Sequence, residues 1–181
     1  MAILTGTVLE GITKNSVRSI NSVFRGDVLL SDGRIVRAFI KDLDPRQLGN
    51  ELLVAALARS LGIPVPEPVI GLVATSVSTD FCQIKRASSG EHIAFCSIDA
   101  NGSNISQMVS NHGSLEVLKY LIKSPIIGQI YGLDTWVANV DRHPGNLIVR
   151  GDGSVVLIDH GYCLSGPTWS ARDLVGDAEY A

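Results

Sequence analysis

The side chains with the most chemistry in this sequence lie in two runs. Asn139-Val140-Asp141-Arg142-His143-Pro144-Gly145-Asn146 is followed, thirteen residues on, by Asp159-His160-Gly161. The first run reads as a tight loop that leaves a helix and enters a strand. Asp159 falls at the far end of that strand's hairpin partner, so the hairpin brings Asn146 and Asp159 together with their side-chain oxygens facing one ion. A carboxylate plus an amide oxygen is a small, hard donor set, suited to Mg²⁺ held jointly with phosphates rather than to a closed protein cage. Asp141 is placed to accept a proton from an incoming hydroxyl. Arg142 and His143 are placed to stabilise charge on a transferred group or to order the loop. This set asks for phosphoryl transfer.

The elements that must position these residues are legible in outline. The hairpin itself is Leu147-Ile148-Val149, a Gly151-Asp152-Gly153 turn, and Val155 to Ile158. Ser114 to Ile122 reads as a helix, and Ser124-Pro125 opens a second that runs to about Val137. Upstream, the first forty residues read as β, with Ser31-Asp32-Gly33 as a hairpin turn between Val28–Leu30 and Arg34–Lys41. A helix follows, with Asp44 as cap, Pro45 in the first turn and Gln47 at the capping-box position. Leu48, Leu52, Leu53, Leu57 and Leu61 supply its apolar side, and Gly62 and Pro64 stop it. Phe81–Lys85 and Ile93–Ile98 read as further strands. Asp99 to Ser106, rich in Asn, Gly and Ser, reads as a hinge. The expected fold class is α+β, with an antiparallel-sheet half over 1–98 and a short helical half carrying a β-hairpin over 99–181.

Bulk properties exclude several classes. The chain has 181 residues, 45% of them hydrophobic and 18% charged, which is not a disordered composition. No apolar stretch approaches the roughly 18 residues of a membrane span, and the N-terminus lacks the pattern of a signal peptide. The net charge is −3 with no Lys/Arg block, so neither nucleic acid nor an anionic membrane surface is an expected partner. Cys82, Cys96 and Cys163 form no CxxC pair, which reads as a reduced, cytoplasmic chain.

Asp-Arg-His-Pro-Gly-Asn followed by Ile-Asp-His-Gly resembles the catalytic and metal-binding loops of the protein-kinase-like superfamily. The spelling is closest to the HipA-like kinases and the phosphatidylinositol 3-/4-kinases. The resemblance implies a compact two-lobed protein-kinase-like fold, ATP and Mg²⁺ as cofactors, Asp141 as catalytic base, and Asn146 and Asp159 as metal ligands. His143 matches a histidine of the lipid-kinase loop, where it assists proton transfer or stabilises charge. His160 stands where the commoner Asp-Phe-Gly has Phe. Lys41 closes a strand as the ATP-binding lysine of kinases does, with Glu51 as its candidate ion-pair partner. Leu57 to Pro66 resembles the Leu-Gly-Leu-Pro-Val-Pro-like run of HipA-like kinases.

The chain departs from the pattern in three places, one of them the short separation of Lys41 and Glu51. No Gly-x-Gly-x-x-Gly loop precedes Lys41, and Gly11 to Ser19, with Ser16 and Ser19, is the candidate phosphate-binding loop. Only twenty residues follow Gly161, so the chain reads as a minimal kinase, a truncated one or a fragment, with a homodimer contact or a partner as candidates to complete the helical lobe. Plainer readings stand beside these. Asp141 and Asn146 could form a turn that caps a helix exit, Lys85 rivals Lys41, and Glu51 could be a surface acid. His92 and His112 read as surface residues, and the leucine stripe reads as core. Asp141, His143, Asp159 and His160 could also be drawn as a metallohydrolase cluster. The favoured expectation is a HipA-like Ser/Thr protein kinase; a nucleotide-binding pseudokinase and a phosphoinositide-type lipid kinase are the alternatives.

Overall fold

In the computed structural model, residues 3–14, 22–78, 80–86, 88–122 and 124–170 are described. The first strands are β1 (Leu4–Val8), β2 (Thr13–Lys14), β3 (Val23–Leu30) and β4 (Ile35–Lys41). β3 and β4 form the expected hairpin. Gly33 takes the left-handed conformation its turn needs (φ 88°), and its N–H donates to the Leu30 carbonyl at 2.9 Å. Helix α1 (Pro45–Ser60) follows, then β5 (Pro68–Val73) and β6 (His92–Ile98).

This sheet is not purely antiparallel, as the sequence suggested. Its order is β1-β5-β6-β4-β3-β2, and β1 also pairs with β3, so five strands close on themselves. The β1–β5 seam is parallel and sets Gly6 opposite Gly71. Both glycines are needed for closure. A Cβ at Gly6 would lie 2.7 Å from the Val28 side chain, and one at Gly71 would overlap the Cys96 thiol. The closed sheet encloses one apolar core, built on Val28, Ala38, Ile40, Val69, Val73 and Cys96.

Phe81–Lys85 does not form the expected strand. Lys85 makes only an isolated bridge to His92. The Asp42 carboxylate accepts the Cys82 and Gln83 N–H groups at 2.9 and 3.2 Å, so these donors never reach a strand ladder. Phe81 instead packs inward, stacked on Phe24 with ring centroids 4.8 Å apart. His92, expected at the surface, is buried.

The expected hinge is ordered structure. β7 (Gly102–Asn104) leads into α2 (Ile105–His112), which the sequence reading missed. Asn104 and Gln107 form a reciprocal capping box, each side chain bonding the other's backbone N–H. Next come α3 (Ser114–Ile122), α4 (Ile126–Trp136), a 3₁₀ turn over Pro144–Asn146, and the hairpin β8 (Leu147–Arg150) and β9 (Val155–Leu157). β7, β8 and β9 form a second sheet.

Helix α1 starts as expected, its Asp44 cap accepting the Arg46 and Gln47 N–H groups at 2.8 and 3.2 Å. Its buried face is a different one, however: Gln47, Asn50, Glu51, Val54, Ala55 and Ala58. Leu53 and Leu61 are exposed, and the remaining leucines are only partly buried. Val54, Ala55 and Ala58 join a second core with Ile105, Val117, Ile130, Leu133 and Leu157. The small residues let α1 lie close to the second half, and that approach carries Asn50 and Glu51 to the loop after β9.

Candidate active site

The strand register, the cap of α1 and the β8–β9 hairpin converge on a cleft of about 660 Å³ lined by Lys41, Glu51, Asp141, His143, Asn146 and Asp159. That volume is in the range of small-molecule sites. Ser16 and Ser19 lie outside the described residues.

Lys41, at the last position of β4, is the centre of the charge arrangement. Its Nζ lies 2.7 Å from Glu51 Oε1 and 3.0 Å from Asp159 Oδ1, and 5.8 Å from the centroid of the Phe95 ring. Burial alone would push the Lys41 ammonium down, but the two carboxylates override it and hold its pKa above the ordinary lysine value. Glu51 is buried, not a surface acid. Its second oxygen, Oε2, accepts the His160 N–H at 2.9 Å. Burial also raises the Glu51 carboxyl, against the pull of Lys41. Although burial opposes it, the Lys41 charge holds the Asp159 carboxyl below its usual range. Lys85 is exposed and does not line the cleft.

Asp159 and His160 do not sit on a strand. β9 ends at Leu157, and Asp159 adopts φ 63°, which costs a non-glycine residue about 1–2 kcal/mol. Its ion pair to Lys41 and the bond from His160 N–H to Glu51 offset that cost. The turn sends the Asp159 carboxylate to Lys41 and buries His160.

The loop from Asn139 to Asn146 is tied down by Arg142. Its guanidinium forks onto Asp134 of α4, donates to the Asn146 and Ile158 carbonyls at 3.2 and 2.8 Å, and meets His160 Nδ1 at 3.3 Å. Because a guanidinium only donates, His160 Nδ1 accepts and the ring proton sits on Nε2. Burial, with Arg142 and Lys41 nearby, lowers the His160 pKa to about 3, so the ring stays neutral.

Asn146 is buried, and its Nδ2 donates to the Asp141 carbonyl at 2.9 Å. This fixes the amide so that Oδ1 is its free end. The Asp141 N–H donates to Asn139 Oδ1 at 3.0 Å, while the Asp141 carboxylate is exposed and has no hydrogen-bond partner among the described residues. His143 Nδ1 accepts the Gly145 N–H at 3.0 Å, leaving Nε2 free at the rim of the cleft.

Asn146 Oδ1 and the Asp159 carboxylate are two hard oxygens on one cleft, a donor pair that fits Mg²⁺ shared with phosphate oxygens. Among the described residues no three His, Cys, Asp or Glu side chains gather as a metal cluster, which disfavours the hydrolase drawing. Asp134 and Asn50 were not found from sequence. Asp134 carried no signal beyond being a polar residue within an apolar helix. Asn50 sits with Gln47, Glu51, Val54 and Ala58 on one face of α1, a spacing that the neighbouring leucines obscured.

Comparison with known proteins adds a family likeness. Residues 130–172 match the family model of phosphatidylinositol 3- and 4-kinase. The chain is 43% identical over 68 residues to phosphatidylinositol 4-kinase gamma 3 of Arabidopsis thaliana, covering 34% of this chain and 12% of that protein. It is 41% identical over 63 residues to phosphatidylinositol 4-kinase gamma 4 of Oryza sativa subsp. japonica, covering 31% of this chain and 11% of that protein. The chain thus spans only about an eighth of the length of these curated relatives. The matched stretch contains Asp134, Asp141, Arg142, His143, Asn146 and Asp159, whereas Lys41 and Glu51 lie outside it.

Proposed function

We propose that this chain transfers the γ-phosphoryl group of ATP to an alcohol, using Mg²⁺. The observation that carries the reading is Lys41, held between Glu51 and Asp159 in the cleft that Asp141 and Asn146 line. The cleft would lie between a sheet lobe, 1–98, and a helical lobe, 99–181. One apolar core lies wholly within the sheet half, and the other packs Val54, Ala55 and Ala58 of α1, with Ile63 and Val65, against the helical half.

Lys41 would hold the α/β-phosphates. Asn146 and Asp159 would hold the Mg²⁺, which supplies neutralisation of phosphate charge. Asp141 orients the acceptor hydroxyl and takes its proton as the new P–O bond forms and the bond to the ADP leaving group breaks. His143 Nε2 faces the same opening and donates to developing negative charge. Nothing here forms a covalent intermediate with the chain; rate would come from positioning and charge.

The acceptor we infer is a lipid headgroup hydroxyl of the phosphatidylinositol type. The sequence alone favoured a protein Ser/Thr, from the HipA-like resemblance, and no membrane, from the acidic balance of the chain. The family match and both relatives named above carry the lipid-kinase description, and that support outweighs net charge. Calorimetric titration of ATP into wild type and Asp159→Asn, with Mg²⁺ and with chelator, tests the nucleotide part. Binding that needs Mg²⁺ and collapses in the variant supports it. Binding indifferent to both points instead to a nucleotide-holding module.

A further inference from the structure

Asn50 is fully buried, and its amide is saturated by one stretch of chain. Nδ2 donates to the carbonyls of Gly161 at 2.9 Å and Cys163 at 2.8 Å, and Oδ1 accepts the Trp169 indole N–H at 2.9 Å. Its neighbour Glu51 accepts the His160 N–H and grips Lys41. Two adjacent residues of α1 therefore hold the chain just after Asp159, across more than a hundred positions of sequence.

That stretch is also conformationally loaded. Leu164 and Ser165 both adopt left-handed backbone (φ 56° and 64°), which side chains other than glycine rarely take. On its other side it is sewn to the run that leads into Asp141. The Leu164 and Ser165 N–H groups donate to the Val137 and Ala138 carbonyls at 2.7 and 3.0 Å, and the Val140 N–H donates to the Tyr162 carbonyl at 3.3 Å. A strained segment persists only where its surroundings over-determine it, and the Asn50 amide supplies three hydrogen bonds to the segment from α1.

We propose that Asn50 is a positioning residue, through which the 161–169 segment fixes α1 so that Glu51 sets Lys41 for phosphoryl transfer. This rests on the proposed kinase reading only for its consequence in catalysis; the coupling of Trp169 to Lys41 through Asn50 is a property of the protein without ligands. Loss of the amide frees the segment to relax its left-handed turns. Gly161 and His160 then draw away from α1, Glu51 loses the His160 N–H, and Lys41 is no longer clamped.

The test uses the ligand-free chain. An amine-acylating reagent is applied to wild type, Asn50→Ala and Trp169→Phe, and labelling of Lys41 is read by mass spectrometry against the exposed Lys85 in the same sample. Lys41 is expected to label several-fold faster in both variants. If Asn50→Ala does not fold, as judged by circular dichroism, Trp169→Phe carries the test, since it removes one donor from a partly buried ring. Lys41 labelling equal to wild type in a folded variant overturns the proposal. In turnover assays the Asn50→Ala kcat is expected to fall about 10²-fold with a much smaller change in the KM for ATP; a change confined to KM overturns the positioning role. Faster Lys41 labelling in variants of a wild type that transfers no phosphate would support the coupling and sink the kinase reading alone.

Discussion

Arg142 grips Asp134 with two prongs, Nε to Oδ2 at 2.8 Å and Nη2 to Oδ1 at 3.0 Å, with the two side chains only 13% and 12% exposed. The same guanidinium bonds the Asn146 and Ile158 carbonyls, so one side chain joins α4, the loop after it and the end of the β8–β9 hairpin. The separation of Asp141, Asn146 and Asp159 is thereby set before any ligand arrives.

Breaking that joint should cost stability as well as geometry. Arg142→Ala and Asp134→Ala are each expected to lose about 3 kcal/mol in urea denaturation, because each leaves a mostly buried charge unpaired. The double variant should lose less than the sum of the two. Arg142→Lys should rescue little, since an ammonium cannot fork onto Asp134 and still serve two carbonyls. Full additivity, or full rescue by Lys, would contradict this role.

Lys41→Met should destabilise the protein although lysine is ordinarily a surface residue. Glu51, 1% exposed, would keep only the His160 N–H as a partner. The expected loss is about 3 kcal/mol, and adding Glu51→Gln should recover part of it. Equilibrium denaturation of the single and double variants decides this; a double variant less stable than Lys41→Met would count against a coupled pair.

His160 makes a pH prediction. In the fold its pKa is lowered to about 3, chiefly by burial and then by Arg142 and Lys41, against an ordinary 6.5; Asp159 and Asp134 pull weakly the other way. Between those values the unfolded chain binds a proton that the folded chain excludes. Stability should therefore fall as pH drops from about 6.5 towards 3, by about 2 kcal/mol at pH 5 relative to pH 7.5. Denaturation in chelator at the two pH values, for wild type and His160→Phe, isolates this contribution. An equal loss in both proteins would show that His160 does not carry it.

What the sequence made legible was local. The Asp44 cap, the Gly33 turn, the β8–β9 hairpin and the run from Asp141 to Asn146 each have their partners within about twenty residues, so spacing alone positions them. The closing β1–β5 seam pairs strands some sixty residues apart in a parallel register, which leaves no hairpin signal. The buried face of α1 was misread because leucines outweigh Asn50 and Glu51 in any reading of apolar pattern. That face is buried for what it delivers to residues 160–169, and those partners lie over a hundred residues away. The Asp99–Ser106 run looked like a hinge from its Asn, Gly and Ser content, yet the same Asn104 caps α2 and Gly102 admits the Val149 carbonyl.

The proposed phosphoryl transfer to a lipid hydroxyl, with Asp141 as base, is tested by incubating γ-labelled ATP and Mg²⁺ with phosphatidylinositol vesicles and either wild type or Asp141→Asn, followed by separation of labelled lipid. The expected result is labelled phosphoinositide from wild type and about 10²-fold less or lower still from the variant. No labelled lipid from a folded wild type that binds Mg-ATP, or equal labelling by Asp141→Asn, would contradict it.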